Sequence, residues 1–255
     1  MFKLSCGQST NDKPTIIHLD KIDSTNRYAL ANFAELEDAF LILAKEQNSG
    51  HGRRGRNWLS PPGNIYASFM VKKVLTPSQL TIIGALSSLQ TLRDYAPTLQ
   101  FWVKWPNDVY VKSLKISGIL SETHSPEKSN KPDGAVIGIG INLNTDKEFF
   151  AVAKVSGTSI FAETAKITDI EKFAESLQAN LSKMYLETLR NPEGIYESWK
   201  KENILIGREI EIIQESGDEV KGVFKDIAKD GSLILLLPNG STRNFHSGEV
   251  SVNYF

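Results

Sequence analysis

What this chain lacks narrows its class before any motif is read. It has one cysteine, Cys6, so no internal disulfide can form. Its four histidines, His18, His51, His124 and His246, are scattered, and no His-Glu-x-x-His pair occurs, so no protein-held metal centre is assigned. No Gly-x-Ser-x-Gly elbow offers a serine nucleophile, no Gly-Lys-Ser/Thr completes a Walker loop, and no Gly-x-Gly-x-x-Gly joins a strand to a helix. Long apolar runs are missing, and the stretch from Met1 to Gln8 does not read as a signal peptide, so a cytoplasmic protein with no membrane span is expected. Charge of one sign is also missing: a formal net charge of -1 gives no global attraction to nucleic acid or anionic lipid. Positive charge therefore counts only where it clusters.

What is present is enough to bury a substantial core, since 40% of the 255 residues are hydrophobic. Residues 1–14 read as a flexible lead-in ahead of an apolar strand at Thr15 to Leu19. A helix is predicted from Ser24, another over Pro77 to Tyr95, a third behind a Thr168-x-x-Glu171 capping box, and a last one around Pro192 to Glu202. Ile65 to Val71, Phe101 to Trp105, Val109 to Val111, Ile116 to Ser121 and Val136 to Leu143 read as strands. The gaps between them are too short for crossover helices, which predicts a mixed, mostly antiparallel sheet and an α+β fold. From about Ile204 the pattern changes to short strands near Glu209 to Ile213, Val220 to Ile227, Leu233 to Leu237 and Thr242 to Phe245, joined by glycine turns. That predicts a small closed barrel over 204–255, set apart from a larger domain over 15–203.

Three stretches carry the chemistry. Gly50-His51-Gly52-Arg53-Arg54-Gly55-Arg56 packs three guanidiniums and three glycines into seven residues, so backbone N–H groups can approach an anion that the arginines neutralise. A phosphate suits it; an exposed basic turn and a nucleic-acid contact are the alternatives, and the flanks Ser49-Gly50 and Trp58-Leu59-Ser60-Pro61-Pro62 do not extend the charge as the second would need. In Lys104-Trp105-Pro106-Asn107-Asp108 the proline ends a strand and Asn-Asp makes a turn, which a hairpin corner alone would explain. Lys104, beside two tryptophans, nevertheless needs an anion, either Asp108 or a ligand. Lys115 could be a solvated hairpin lysine, but the small Ser117 and Gly118 leave room beside its ammonium. The strand from Val136 to Asn144 has Ile137, Ile139, Ile141 and Leu143 on one face and Gly138, Gly140, Asn142 and Asn144 on the other. Such a bare face admits either a flat ligand gripped at one end or a closely packed helix.

Taken in order, Ser24-Thr25-Asn26, Gln47, the Gly50 to Arg56 loop, Trp58, Lys104 to Asp108, Lys115-x-x-Gly118-Ile119-Leu120 and Gly138-x-Gly140-x-Asn142 resemble the biotin protein ligases. The resemblance implies a catalytic core like that of class II aminoacyl-tRNA synthetases, with helices on one face of the sheet, followed by an SH3-like barrel. It implies biotin and ATP as substrates, Mg²⁺ with the phosphates, a biotin carboxyl carrier protein as acceptor, and possible homodimers. On this resemblance Lys115, Arg53 and Asp108 are the catalytic candidates. Biotin would meet Ser24, Thr25, Asn26, Gln47, His51, Gly52, Arg53, Lys115 and Gly118. ATP would meet Arg53, Arg54, Arg56, Trp58, Lys104, Asn107, Gly140 and Asn142. His51 stands where many relatives have arginine, and Ser117 where glycine or alanine is common. With about 14 residues ahead of the core there is no helix-turn-helix, so no DNA binding is expected. A lipoate or octanoate ligase or transferase of the same superfamily, and a non-catalytic RNA-binding module, are the alternative readings.

Overall fold

The structure, a computed structural model, describes residues 15–127, 129, 131–214 and 216–251; the expected lead-in over 1–14 and Cys6 lie outside them. Seven strands form the first sheet: β1 (Ile16–Ile22), β2 (Leu41–Gln47), β3 (Ile65–Val71), β4 (Phe101–Lys104), β5 (Asp108–Val111), β6 (Leu114–His124) and β7 (Gly134–Ile141), ordered β1-β2-β3-β7-β6-β5-β4. β1 and β2 run parallel and every other pair is antiparallel. The parallel pair accounts for β2, which the sequence reading passed over.

Two helices cover one face of this sheet, α2 (Pro77–Tyr95) and α5 (Ile170–Arg190). α2 begins with a full capping box at Thr76 and Gln79 and buries Leu80, Ile83, Leu86 and Leu89. Its Gly84 lets the helix close on the sheet, because a Cβ there would come within 2.8 Å of Ile137 and 3.0 Å of Ile119. α5 buries Phe173, Leu177 and Leu181 as expected, but its cap is Asp169, which accepts from the Lys172 N–H, and not Thr168. Thr168 is occupied elsewhere: its N–H donates to Asn144 Oδ1 and its carbonyl accepts from Asn144 Nδ2.

The expectation of helices on a single face needs correction, because α1 (Thr25–Ala31) lies on the other side. Ala29 of α1, with Phe33 and Leu36 beyond it, buries against Ile42, Met70 and Val136, the residues that alternate with Leu41, Phe69 and Ile137 of the α2 side. On this second face α1 lies over β2, β3 and β7, which leaves room for a cavity beside it. Two short helices that were not foreseen, α3 (Lys147–Val152) and α4 (Ile160–Thr164), follow β7.

Past α6 (Gly194–Glu202), a second sheet of β8 (Glu209–Ile213), β9 (Glu219–Ile227), β10 (Leu233–Leu236), β11 (Thr242–Phe245) and β12 (Glu249–Ser251) is antiparallel throughout, in the order β11-β10-β9-β8-β12. Its turns carry Gly217, Gly231 and Gly240 at φ between 82° and 88°, the left-handed region where glycine is favoured. Phe224, Leu233 and Leu235 of this sheet belong to the same apolar cluster as α2 and α6. Trp105 crosses the junction and donates from Nε1 to the Gly231 carbonyl at 3.1 Å.

A bulge in β6 sets the site. The register runs Val109 opposite Ser117 and then Tyr110 opposite Lys115, so Ile116 is the extra residue. Strict alternation would put Lys115 and Gly118 on opposite faces; the bulge turns both to the α1 side. Ser117 pairs with Ile141 and so faces the apolar side, where its fully buried hydroxyl has no hydrogen-bond partner. Leaving a buried hydroxyl unpaired costs on the order of 1 kcal/mol. Ser117→Ala should therefore raise stability by about 1 kcal/mol, or about 2–4 °C in Tm for a chain of this size. Thermal unfolding checks this, and an unchanged or lowered midpoint would contradict it.

Candidate functional site

The open side of the sheet holds a cavity of about 290 Å³. All the residues expected to be catalytic or to meet biotin or ATP line it: Ser24, Thr25, Asn26, Gln47, His51, Gly52, Arg53, Arg54, Arg56, Trp58, Lys104, Asn107, Asp108, Lys115, Gly118, Gly140 and Asn142.

Its floor is the glycine face of β7. The Ile137, Ile139 and Ile141 face packs under α2, so the other face can only point into the cavity. A Cβ at Gly138 would come within 2.4 Å of Asn26, and one at Gly140 within 2.4 Å of the Trp58 indole. The bare strand is thus closely packed at both glycines, by the Asn26 side chain of α1 at Gly138 and by the Trp58 indole at Gly140. The Trp58 Nε1 is buried with no hydrogen-bond partner.

One wall comes from α1 and β2. Ser24 caps α1 by accepting from the Arg27 N–H, which sets Thr25 and Asn26 as buried first-turn residues. The Thr25 N–H and hydroxyl both donate to Gln47 Oε1, at 2.9 and 3.2 Å, and Gln47 Nε2 donates onward to Ser60. The glycine-arginine loop then folds back on itself: Gly52 N–H donates to the Arg56 carbonyl at 2.7 Å and Trp58 N–H to the Gly50 carbonyl at 2.9 Å. Arg54 sits at φ 59°, a left-handed conformation rare for a side chain without a short polar group.

Opposite this wall stand the cations. Arg53 Nη1 donates to Asn107 Oδ1 at 3.3 Å, and Asn107 Nδ2 is held by the Ile119 carbonyl at 2.7 Å. Lys115 Nζ lies 2.7 Å from Asp108 Oδ1 and 5.3 Å from the centre of the Trp58 ring. Lys104 lies over Tyr110, 4.9 Å from the ring centre, and its hydroxyl partner is Tyr110 at 3.4 Å. Burial pushes the Lys104 ammonium below its ordinary value, against the opposing pull of Asp108 and Glu249. The question the sequence raised about an anion for Lys104 thus has a divided answer, because the direct ion pair of Asp108 is with Lys115.

Several lining residues were not foreseen. Glu249, from β12 of the second sheet, forks onto Arg56 through two hydrogen bonds, Nη1 to Oε1 at 3.1 Å and Nη2 to Oε2. That fork holds the Glu249 carboxyl below the usual range and raises the Arg56 guanidinium. Phe149, Phe150, Val155 and Gly157 add an apolar side next to Asn142. A phenylalanine pair, Phe149-Phe150, six residues past the predicted strand end at Leu143 was a signal that could have been read. Glu249 carries none, since it is about 190 residues from Arg56 in sequence. Asn144, expected at the ligand end of the glycine face, is not a lining residue; its amide makes both hydrogen bonds to the Thr168 backbone. Asn142 does line the cavity and donates to the Thr158 carbonyl at 3.0 Å. Among the described residues no three His, Cys, Asp or Glu side chains converge as metal ligands.

Comparison with known proteins gives a consistent result. The Biotin/lipoate A/B protein ligase family matches residues 19–142, and the Biotin protein ligase C terminal domain matches residues 205–252. A biotin--[acetyl-CoA-carboxylase] ligase from Paracoccus denitrificans is 32% identical, over 87% of this chain and 94% of its own length. The bifunctional ligase/repressor BirA from Escherichia coli strain K12 is 31% identical, over 94% of this chain and 75% of its own. Among solved structures, the biotin protein ligase from Aquifex aeolicus in complex with biotin and ATP superposes with a TM-score of 0.80 at 26% identity, over 92% of this chain and 97% of that one.

The amide of Asn144 clamps the end of β7 to the segment before α5, so its worth is in stability. Asn144→Ala removes two backbone hydrogen bonds and should lower unfolding free energy by about 2 kcal/mol in denaturant titration. An effect below a few tenths would show that the clamp does not matter.

Proposed function

This chain belongs to the biotin protein ligase family, and we infer that its cavity activates the carboxylate of biotin with ATP and hands the biotinyl group to a lysine of another protein. It is a ligase that uses biotin and ATP; the lipoate and octanoate reading is not favoured. One observation supports the site assignment above all others: Lys115, Arg53, Arg56 and Lys104 converge on a glycine-floored cavity in a chain whose overall charge is only -1.

Two steps are required of these residues. A carboxylate oxygen of biotin attacks the α-phosphorus of ATP, the bond to the β-phosphate breaks, and pyrophosphate leaves a mixed anhydride, biotinyl-AMP. Negative charge gathers on the α-phosphate in that step, and fixed cations in a partly dry cavity stabilise it without reorganising. Lys115 is our choice for the central group, because its ammonium can face both the carboxylate and the phosphate. Arg53 and Arg56 take the phosphates, Arg54 and Lys104 flank them, and Trp58, Asn107, Gly140 and Asn142 border the nucleotide. Ser24, Thr25, Asn26, Gln47, His51, Gly52 and Gly118 would border biotin. Mg²⁺ would enter as the counter-ion of ATP; among the described residues no cluster of three ligands awaits it, and no step here runs through it.

In the second step a lysine amine attacks the anhydride carbonyl, the bond to the phosphate oxygen breaks, and AMP leaves. The amine must be neutral when it attacks. Asp108 already holds one ammonium, that of Lys115, at 2.7 Å, and we assign it to orient the incoming amine and take its proton.

The finer points are proposals. The acceptor is a biotin carboxyl carrier protein, the protein works in the cytoplasm, and neither DNA nor a membrane is a partner. The arginines of the glycine-arginine loop line a cavity, and among the described residues no helix is long and apolar enough to cross a membrane. A homodimer is compatible with this reading. We divide the chain into a catalytic unit over 15–203 and a small barrel over 204–255, a division supported by the two separate sheets.

Lys115→Ala should reduce biotin-dependent pyrophosphate release by about 100-fold or more; near-normal release would remove Lys115 from the role. Asp108→Asn should slow transfer from preformed biotinyl-AMP more than it slows formation of the anhydride. Equal slowing in single-turnover assays would make Asp108 a partner of Lys115 alone.

A further inference from the structure

Beside the glycine floor stands a carboxylate that none of these assignments uses. Glu122 projects from β6, with its side chain 34% exposed. Its Oε2 accepts from Asn26 Nδ2 at 2.7 Å and lies 3.8 Å from His51 Nε2. The second Nδ2 proton of Asn26 goes to the Leu120 carbonyl at 3.1 Å, and Asn26 Oδ1 accepts from the fully buried Ser68 hydroxyl at 2.6 Å. A carboxylate and a carbonyl can only accept, so Glu122 and Leu120 together fix which way the Asn26 amide faces.

That orientation matters because Asn26 is pressed onto Gly138 with no room to turn. His51 belongs to the glycine-arginine loop on the same wall as α1. Its loop is a small self-bonded unit, closed by a bridge between His51 and Asn57 and by the Gly52 to Arg56 hydrogen bond, and the Arg53 side chain beyond it has an anchor of its own. Arg53 is in turn held at Asn107.

We propose that Glu122 is a positioning residue of the biotin site. Its carboxylate holds the Asn26 amide flat on the β7 floor and anchors the glycine-arginine loop at the same point through His51. The proposal rests on the biotin-activating reading given above. Glu122 does no chemistry itself, so its loss loosens biotin binding without changing the rate of the bound complex.

The test is steady-state biotin-dependent ATP–pyrophosphate exchange by the full chain, wild type against Glu122→Gln, Glu122→Ala, His51→Ala and the double variant Glu122→Gln with His51→Ala. Glutamine keeps an acceptor for Asn26 and loses the charge facing His51. It should raise the KM for biotin about threefold with kcat and the KM for ATP unchanged. Alanine loses both contacts and should raise the biotin KM about tenfold or more. In the His51→Ala background the glutamine effect should vanish. If Glu122→Ala has a wild-type biotin KM, or fails to fold while Glu122→Gln has a wild-type biotin KM, the proposal is wrong. If Glu122→Gln lowers kcat in place of raising the biotin KM, or if its effect persists undiminished without His51, the role described is also wrong. Absence of exchange in the wild type would instead overturn the ligase reading, and this proposal with it.

Discussion

Strand β7 must satisfy two surfaces that want opposite things. Its isoleucine face is needed by α2, which approaches so closely that Gly84 has no room for a Cβ. The cavity needs the opposite face bare, and Gly138 and Gly140 supply it at the cost of whatever packing side chains there would have added. A two-residue period makes both demands compatible within one strand. Shifting its register by one residue would bury the glycines against the helix and fill the cavity with isoleucine. Everything that grips a ligand in our reading, from Asn26 to Lys115, is measured from that floor.

Electrostatics then shape what the floor can hold. Five lysines and arginines among the described residues line the cavity, and three of them have named anchors: Asp108 for Lys115, Asn107 for Arg53, and Glu249 for Arg56. Burial makes charge costly for Lys104, which an anionic ligand would relieve. Such an arrangement attracts a polyphosphate locally while the molecule as a whole stays close to neutral, and this separates it from a surface that binds nucleic acid by spreading charge over a face.

Much of this could be read from the sequence because the relevant patterns are local. The two-faced β7, the helical spacing of the apolar residues in α2 and the glycine turns of the second sheet are each decided within a few residues, and the structure has them where expected. What could not be read depends on contacts made across the fold. β2 has no clean alternation because both its faces are buried at its start. The bulge at Ile116 is a matter of register with β5, and nothing in the local sequence announces that it turns Lys115 toward Gly118. Asp169 takes the place of Thr168 as the cap, and the Thr168 backbone is bonded to Asn144, just past the end of β7. Likewise, Glu249 meets Arg56 only because the second sheet is folded against the first.

That last junction has its own consequence. Trp105 reaches Gly231, the Tyr196 hydroxyl meets Ser78 beside Gly231, and Lys200 pairs with Asp226, so the two sheets share one hydrophobic interior instead of meeting through a polar seam. A polypeptide cut short before β8 would expose the undersides of Trp105, Tyr196 and Trp199 to water. Such a fragment would be sticky and prone to self-association, so dissecting this molecule into halves is a poor way to study either one.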